Sequence, residues 1–468
     1  MGPSVLRNIP SVNELLDSTP LKQVVDRVHR NVVVTRVRTF LDNLREDVRQ
    51  AAPDLTVPSP TELAEKIASW IIAGEEPSLR PVINATGILL HTGLGRAPLA
   101  EAAVQEMTEI CRGYASVEVD LKTGERSQRV KAVERLLCDV TGAEAAVVVN
   151  NNAGATLLTL AAVATGREVI VSRGQLIEIG GSYRLPEVMT ASGGKLREVG
   201  TTNKTRISDF AEAVNDQTAA LMRVHTSNYV ICGFTEQPTL EELIALGASK
   251  HLPVIDDIGS GALIDFNEFG LDGEPVASAS VAAGADLVLF SGDKLMGGPQ
   301  CGIVVGKKRW IERLAKHPLS RALRVDKVTL AGLAATLKLY RDPVQARNSI
   351  PLLALLSTSM DNLKLRAERL AVQLSTLPGV ASAEPVQDHA FLGGGSVPTQ
   401  QIGTWCVAIT TKSASIDDLA TALRVGRPAI VGRVHRDRFL LDLRTVLPRQ
   451  DLELFETLEK LPLLNPAD

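Results

Sequence analysis

Asp286-Leu-Val-Leu-Phe-Ser-Gly-Asp-Lys-Leu-Met-Gly-Gly-Pro-Gln300 is the stretch on which the fold turns. Asp286–Phe290 is a short, mostly apolar run with the length and composition of a buried strand. Lys294 follows inside a turn, with Gly292 on one side and Gly297-Gly298 on the other. A lysine just beyond a buried strand, on flexible backbone, can reach into a crevice at the strand end. Removed from water there, its amine has a depressed pKa and can form an imine. A lone lysine in a glycine turn is ordinarily a surface residue, so the surrounding chain decides between the two.

Four similar runs precede it, at Ala146–Val149, Glu168–Val171, Ala219–Met222 and Pro253–Asp256. Helix-like segments at 127–140, 153–164, 207–215 and 239–249 alternate with them. That alternation predicts an α/β fold with a mostly parallel central sheet and helices on both faces, its ligands at the carboxyl ends of the strands. Asn150-Asn-Asn-Ala-Gly-Ala-Thr156 follows a strand and opens a helix. The backbone at Asn152, Ala153 and Gly154 would there form an anion site for a phosphate, with an Asn-rich helix cap as the equal alternative. Asp256-Asp257 closes another strand, where a carboxylate can hold the proton of a pyridine nitrogen. Asp256 is favoured as nearer the strand end, with Asp257 left open. Phosphate loop, aspartate and lysine, in that order and all at strand ends, predict pyridoxal 5'-phosphate (PLP) on Lys294, with Ser291 in the same cofactor site.

Aromatic residues make up only 3% of the 468, so the core must rest on Leu, Val, Ile and Ala. A net charge of −4 shows no overall nucleic-acid-type basic excess, although a local basic face can bind RNA without moving the total. Cys111, Cys138, Cys232, Cys301 and Cys406 are widely spaced and form no CxxC pair, so neither a disulfide framework nor a metal site is expected. With no apolar run long enough to span a bilayer, a cytoplasmic location is expected. Residues 1–50 read as helical, with eight Lys and Arg against six acids, opening on a possible capping box, Ser11-Val-Asn-Glu14. Pro53, Pro58 and Pro60 punctuate a linker before an amphipathic helix carrying Leu63, Ile67, Trp70 and Ile71. The expected domains are therefore a helical one over 1–75, the cofactor-binding one over 76–344, and a small C-terminal α/β one over 345–468. The last should hold a long helix at about 350–376, strands near 404–410, 429–434 and 438–443, and a final helix.

A further set of polar groups includes Arg96, Thr201, Thr202, Tyr229 and the pair Arg321 and Arg324, three residues apart and on one face if helical. Two guanidinium groups suit a tetrahedral oxyanion, while a solvated helix face is the more ordinary reading. Taken together, Ile83-Asn-Ala-Thr-Gly-Ile-Leu-Leu-His-Thr-Gly-Leu-Gly-Arg-Ala-Pro-Leu99, Glu178-Ile-Gly-Gly-Ser182, Gly200-Thr-Thr-Asn-Lys204, Asp257-Ile-Gly-Ser-Gly261 and Ser291–Gln300 resemble the bacterial selenocysteine synthases, the L-seryl-tRNA(Sec) selenium transferases. Gly93 stands where the family leads one to expect Asn. The resemblance covers nearly the whole chain and implies the type I PLP-dependent transferase fold. It also implies conversion of L-seryl-tRNA(Sec) to L-selenocysteinyl-tRNA(Sec), with selenophosphate as selenium donor. Lys294 would hold the cofactor. Arg96, Thr201, Thr202, Tyr229, Asp293, Arg321 and Arg324 would line the donor and reaction site. The N-terminal domain would grip the tRNA, and the assembly would be a ring of dimers, a homodecamer. Two rival readings are a PLP-dependent lyase or aldolase acting on a small phosphorylated substrate, and a catalytically idle tRNA-binding paralogue.

Overall fold

The computed structural model describes residues 9–50, 58–75, 77–127, 129–180 and 183–465. Residues 1–8, Pro53 of the linker, and Gly181 and Ser182 of the Glu178–Ser182 motif lie outside the described residues. The chain forms two units, Met1–Pro81 and Val82–Asp468.

In the first unit four helices, α1 (Val12–Leu16), α2 (Thr19–Val25), α3 (Arg30–Gln50) and α4 (Pro60–Glu75), surround their own core. Leu15, Leu21, Val33, Val37, Ile67 and Ile71 are buried there. The capping box forms as read: the Glu14 N–H donates to Ser11 Oγ at 3.2 Å, and the Ser11 N–H to Glu14 Oε2 at 3.4 Å. Phe40 and Trp70 meet with ring centroids 5.8 Å apart, and the Arg36 guanidinium lies 5.3 Å from the Trp70 ring. Arg27, Arg30, Arg38 and Arg49 are exposed.

The second unit opens with two short strands, β1 (Val82–Asn84) and β2 (Ile88–Leu90). Then come β3 (Ala145–Val149), β4 (Glu168–Ser172), the small hairpin of β5 (Glu178–Ile179) and β6 (Tyr183–Arg184), β7 (Lys195–Val199), β8 (Thr218–Val224), β9 (Val254–Gly259), β10 (Leu287–Ser291) and β11 (Gly302–Gly306). Seven of these form one sheet in the order β3-β11-β10-β9-β8-β4-β7. Every residue of β3, β10 and β11 is buried, as expected for strands covered on both faces. All pairings are parallel except those of β11, which runs antiparallel to both β10 and β3. Its direction follows from chain length: only the turn 292–301 joins it to β10, too short for the helical crossover a parallel return requires.

The C-terminal segment departs from the single long helix expected over 350–376. Two helices stand there, Pro351–Ser357 and Met360–Ser375, preceded by a short one at Pro343–Ser349, because Pro351 starts a new helix and Ser359 caps the next by accepting from the Asn362 N–H. β12 (Val380–Gly393), β13 (Ile402–Thr411), β14 (Ala429–Val431), β15 (Arg433–His435) and β16 (Arg438–Asp442) follow, then a helix at Asp451–Glu459. All of these strands but β14 form a five-stranded sheet, β15-β16-β13-β12-β2, that takes β2 from the start of the unit, while β14 pairs with β1 in a separate two-stranded sheet. Residues 82–90 thus close the C-terminal sheet and deliver the following loop, with Arg96, toward the large sheet. No helix among the described residues is long and apolar enough to cross a membrane.

Candidate active site

β9 carries the two aspartates, and alternation along a strand sends their side chains to opposite faces. Asp256 is fully buried and accepts two bonds from Arg223 on neighbouring β8, Nε to Oδ1 and Nη2 to Oδ2, each 2.7 Å. Asp257 faces the other way. It accepts from Asn152 Nδ2 at 3.0 Å, from the Thr156 hydroxyl at 3.0 Å, and from the Gly259 N–H at 3.1 Å. Burial pushes its carboxyl up, opposed by those two side-chain bonds and by the charge of Lys294. Asp256, favoured from the sequence as nearer the strand end, does not line the crevice that holds Lys294. Its two oxygens are committed to Arg223, and Asp257 is the carboxylate that lines the crevice with Lys294.

Lys294 is 5% exposed. The turn around it is fixed by Leu295 N–H donating to the Ser260 carbonyl and Gly297 N–H to the Lys294 carbonyl. Gly261 is required here. A Cβ at its φ of +74° would come 2.2 Å from the Ser291 carbonyl oxygen, so the turn after β9 could not close on the end of β10. Burial, with Arg96 nearby, holds the Lys294 ammonium below the ordinary lysine range, against the opposing pull of Asp257, Asp293 and Glu274. Arg96 reaches the site from the loop after β2, where its backbone takes a φ of 61° and its Nη1 meets Asp293 Oδ2 at 2.8 Å. Ser291 is buried at the end of β10 and lines the same crevice, whose volume is about 260 Å³.

The loop after β3 answers both readings given to it. Asn151 caps the helix Asn152–Ala164 by accepting from the Gly154 N–H at 2.7 Å, so that N–H is taken. Asn152 and Ala153, in the first turn, line the crevice. A Cβ at Gly154 would sit 3.3 Å from Asn151 Oδ1, a tight but not forbidden contact.

The remaining expected residues lie apart. Arg321 and Arg324 do not share a helical face, because the helix Pro318–Ala322 ends between them. Arg324 forms a bridge with Val149 at the end of β3, its Nη1 3.9 Å from Glu118 Oε1, and both arginines are exposed outside the crevice wall. Thr201 donates to the Lys204 carbonyl at 2.9 Å, and the Tyr229 hydroxyl donates to the Gly174 carbonyl. Thr202 packs its carbonyl against the same Gly174. Tyr229 lines a second cavity of about 400 Å³, next to the first and sharing His225 and Ser227 with it. The sequence reading missed Tyr183 and His225. Tyr183 follows the undescribed Gly181-Ser182, lines the crevice, and has its phenol pushed up by burial and the Asp257 charge. His225 follows β8, a strand end that was recognised but not searched for a side chain.

A family model described as L-seryl-tRNA selenium transferase matches residues 82–447. Another, described as selenocysteine synthase N terminal, matches residues 6–45. The chain is 46% identical over 446 residues to the L-seryl-tRNA(Sec) selenium transferase of Desulfomicrobium baculatum, covering 95% of this chain and 96% of that one. It is likewise 46% identical over 456 residues to the protein of the same description from Moorella thermoacetica, covering 97% and 96%. A solved structure of D-glucosaminate-6-phosphate ammonia-lyase matches with a TM-score of 0.55 and 23% identity over 82% of this chain and 95% of that one, a likeness of fold.

Proposed function

The chain belongs to the L-seryl-tRNA selenium transferase family, and from that premise we propose that its Lys294 crevice converts L-seryl-tRNA(Sec) to L-selenocysteinyl-tRNA(Sec) with selenophosphate as the selenium donor. The observation that carries this reading is a buried lysine and a buried aspartate in one crevice, beside the first turn of a helix at the carboxyl end of the large sheet. The fold is the type I PLP-dependent transferase fold, and the donor set suits PLP. Asp257 would hold the pyridine nitrogen, the first turn at Asn152 and Ala153 would receive the phosphate, and Lys294 would carry the cofactor through its amine. Asn152 Oδ1 is buried without a hydrogen-bond partner, and a buried carboxylate pushed toward its neutral form gains from a protonated ring nitrogen. When bound, PLP supplies the electron sink that acidifies Cα and lets the β-substituent leave and be replaced.

The chain's own groups supply the rest. With its amine depressed toward the neutral form, Lys294 takes the proton from Cα and later returns it. Arg96, held by Asp293, presents a fixed guanidinium to an anionic donor. Arg321 and Arg324 stand outside that wall, where their exposed guanidinium groups attract the anionic donor. The exposed arginines of the N-terminal unit hold the tRNA through its phosphates. The assembly is a ring of dimers, and the location is the cytoplasm. The lyase reading has only the shared fold behind it, and a small phosphorylated substrate gives no use to the first unit.

The two aspartates separate site from scaffold. Asp257→Asn should fold normally and lose turnover roughly a hundredfold or more, the scale of a lost proton-holding group. Asp256→Asn strands the Arg223 guanidinium and should cost about 3 kcal/mol of stability, seen as a lower Tm, because breaking one side of a buried pair leaves an uncompensated charge. Equal loss of turnover without loss of Tm in both variants would remove the assignment of Asp257.

A further inference from the structure

Glu274 is a buried carboxylate with no hydrogen bond to either oxygen. Beside it stands His225, whose Nε2 lies 3.7 Å from Oε2. Such a group is costly unless it has a task or a transient partner. His225 is anchored at its backbone, where the N–H donates to the Asp257 carbonyl at 2.9 Å. Its side chain is 24% exposed and forms part of the wall of both the Lys294 crevice and the neighbouring cavity, which Glu274 also lines. The field of Glu274 reaches Lys294 itself.

The proposed reaction must expel a hydroxyl group from the β-carbon, and hydroxide leaves poorly without a proton. Around the crevice the other groups are engaged. Lys294 receives the Cα proton and Asp257 holds the pyridine nitrogen. Arg96 is bound to Asp293, and a guanidinium does not give up its proton. The Tyr183 phenol is pushed away from the neutral range by burial. Imidazole is the side chain that ordinarily exchanges protons near neutrality.

We propose that His225 is the acid that protonates the departing seryl hydroxyl and that Glu274 is the positioning residue that orients it, an assignment that rests on the reading given under Proposed function. The Cβ–O bond breaks with its electron pair on oxygen. That oxygen takes the His225 proton and leaves as water, and His225 regains a proton from solvent on its exposed side.

The test compares L-seryl-tRNA(Sec) with β-chloroalanyl-tRNA(Sec), whose chloride leaves without a proton, on the full-length, cofactor-loaded protein. His225→Asn should slow loss of the seryl hydroxyl by about a hundredfold or more while changing loss of chloride by less than about threefold, as general-acid catalysis requires. Glu274→Gln should show the same selectivity with a smaller loss, which keeps the test open if one variant folds poorly. The visible absorbance of the Lys294-bound cofactor should persist in both. Equal slowing with both substrates would overturn the assignment in favour of a structural role. No slowing with either would assign both protons to Lys294. Loss of the cofactor band would assign His225 to holding the cofactor. A wild-type chain idle with both substrates would overturn the functional reading and this assignment together.

Discussion

Lys294→Ala should leave a folded protein without the visible absorbance of a lysine-bound cofactor, and with turnover reduced by at least about 10⁴-fold, since one group both holds the cofactor and moves the Cα proton. The expectation follows from placement rather than from residue type. Lys294 is 5% exposed, at the end of an entirely buried strand, with its ammonium disfavoured by burial and by Arg96. Burial and Arg96 shift that amine toward its neutral, nucleophilic form, which a surface lysine does not share. Folding should survive, because the turn is held by backbone bonds from Leu295 and Gly297 that the side chain does not make. A persisting visible band in the variant would place the cofactor on another residue.

Deleting residues 1–81 should spare cofactor binding and raise the Kd for tRNA(Sec) by about a hundredfold or more, the scale expected when several phosphate contacts are lost. Every group assigned to the crevice belongs to Val82–Asp468, and the first unit buries its own apolar residues. The same physics predicts that tRNA affinity of the full-length chain falls as salt rises, and that the residual affinity of the truncated chain does so less steeply. A truncated protein that held tRNA(Sec) as tightly as the full chain would move the tRNA site onto the second unit.

Much of this architecture was legible because buried parallel strands write themselves as β-branched runs. β3, β4, β8, β9 and β10 were all read within two or three residues of their observed bounds. The strands that escaped lack that signature. β7, Lys195-Leu-Arg-Glu-Val199, is an edge strand with its charges in solvent. β11 is bracketed by glycines, and β12 is mostly exposed or half-buried, is broken by the largely polar run Glu384–His389 and contains Pro385. At the site, the burial of Lys294 was legible only once its glycine turn was set beside the loop at 150–156 and the aspartates at 256–257, and the helix cap at Asn151 was one of the two readings weighed. The choice between Asp256 and Asp257 was not, because strand parity fixes only that they point apart. Which face is the crevice depends on Arg223 from one neighbour and Asn152 from another. Spacing alone also misled for Arg321 and Arg324, since a helix of five residues ends before the second arginine. Glu274 and His225 come from different loops and meet only through the fold.

The central claim is that this crevice exchanges the hydroxyl of a tRNA-borne serine for selenium. Its most direct test supplies the purified full-length protein with PLP, L-seryl-tRNA(Sec) and selenophosphate, or thiophosphate in a parallel reaction, and identifies the amino acid released from the tRNA. Selenocysteine is expected from the selenophosphate reaction, dependent on Lys294. Serine recovered unchanged, or pyruvate and ammonia in place of any selenium-containing product, would contradict it.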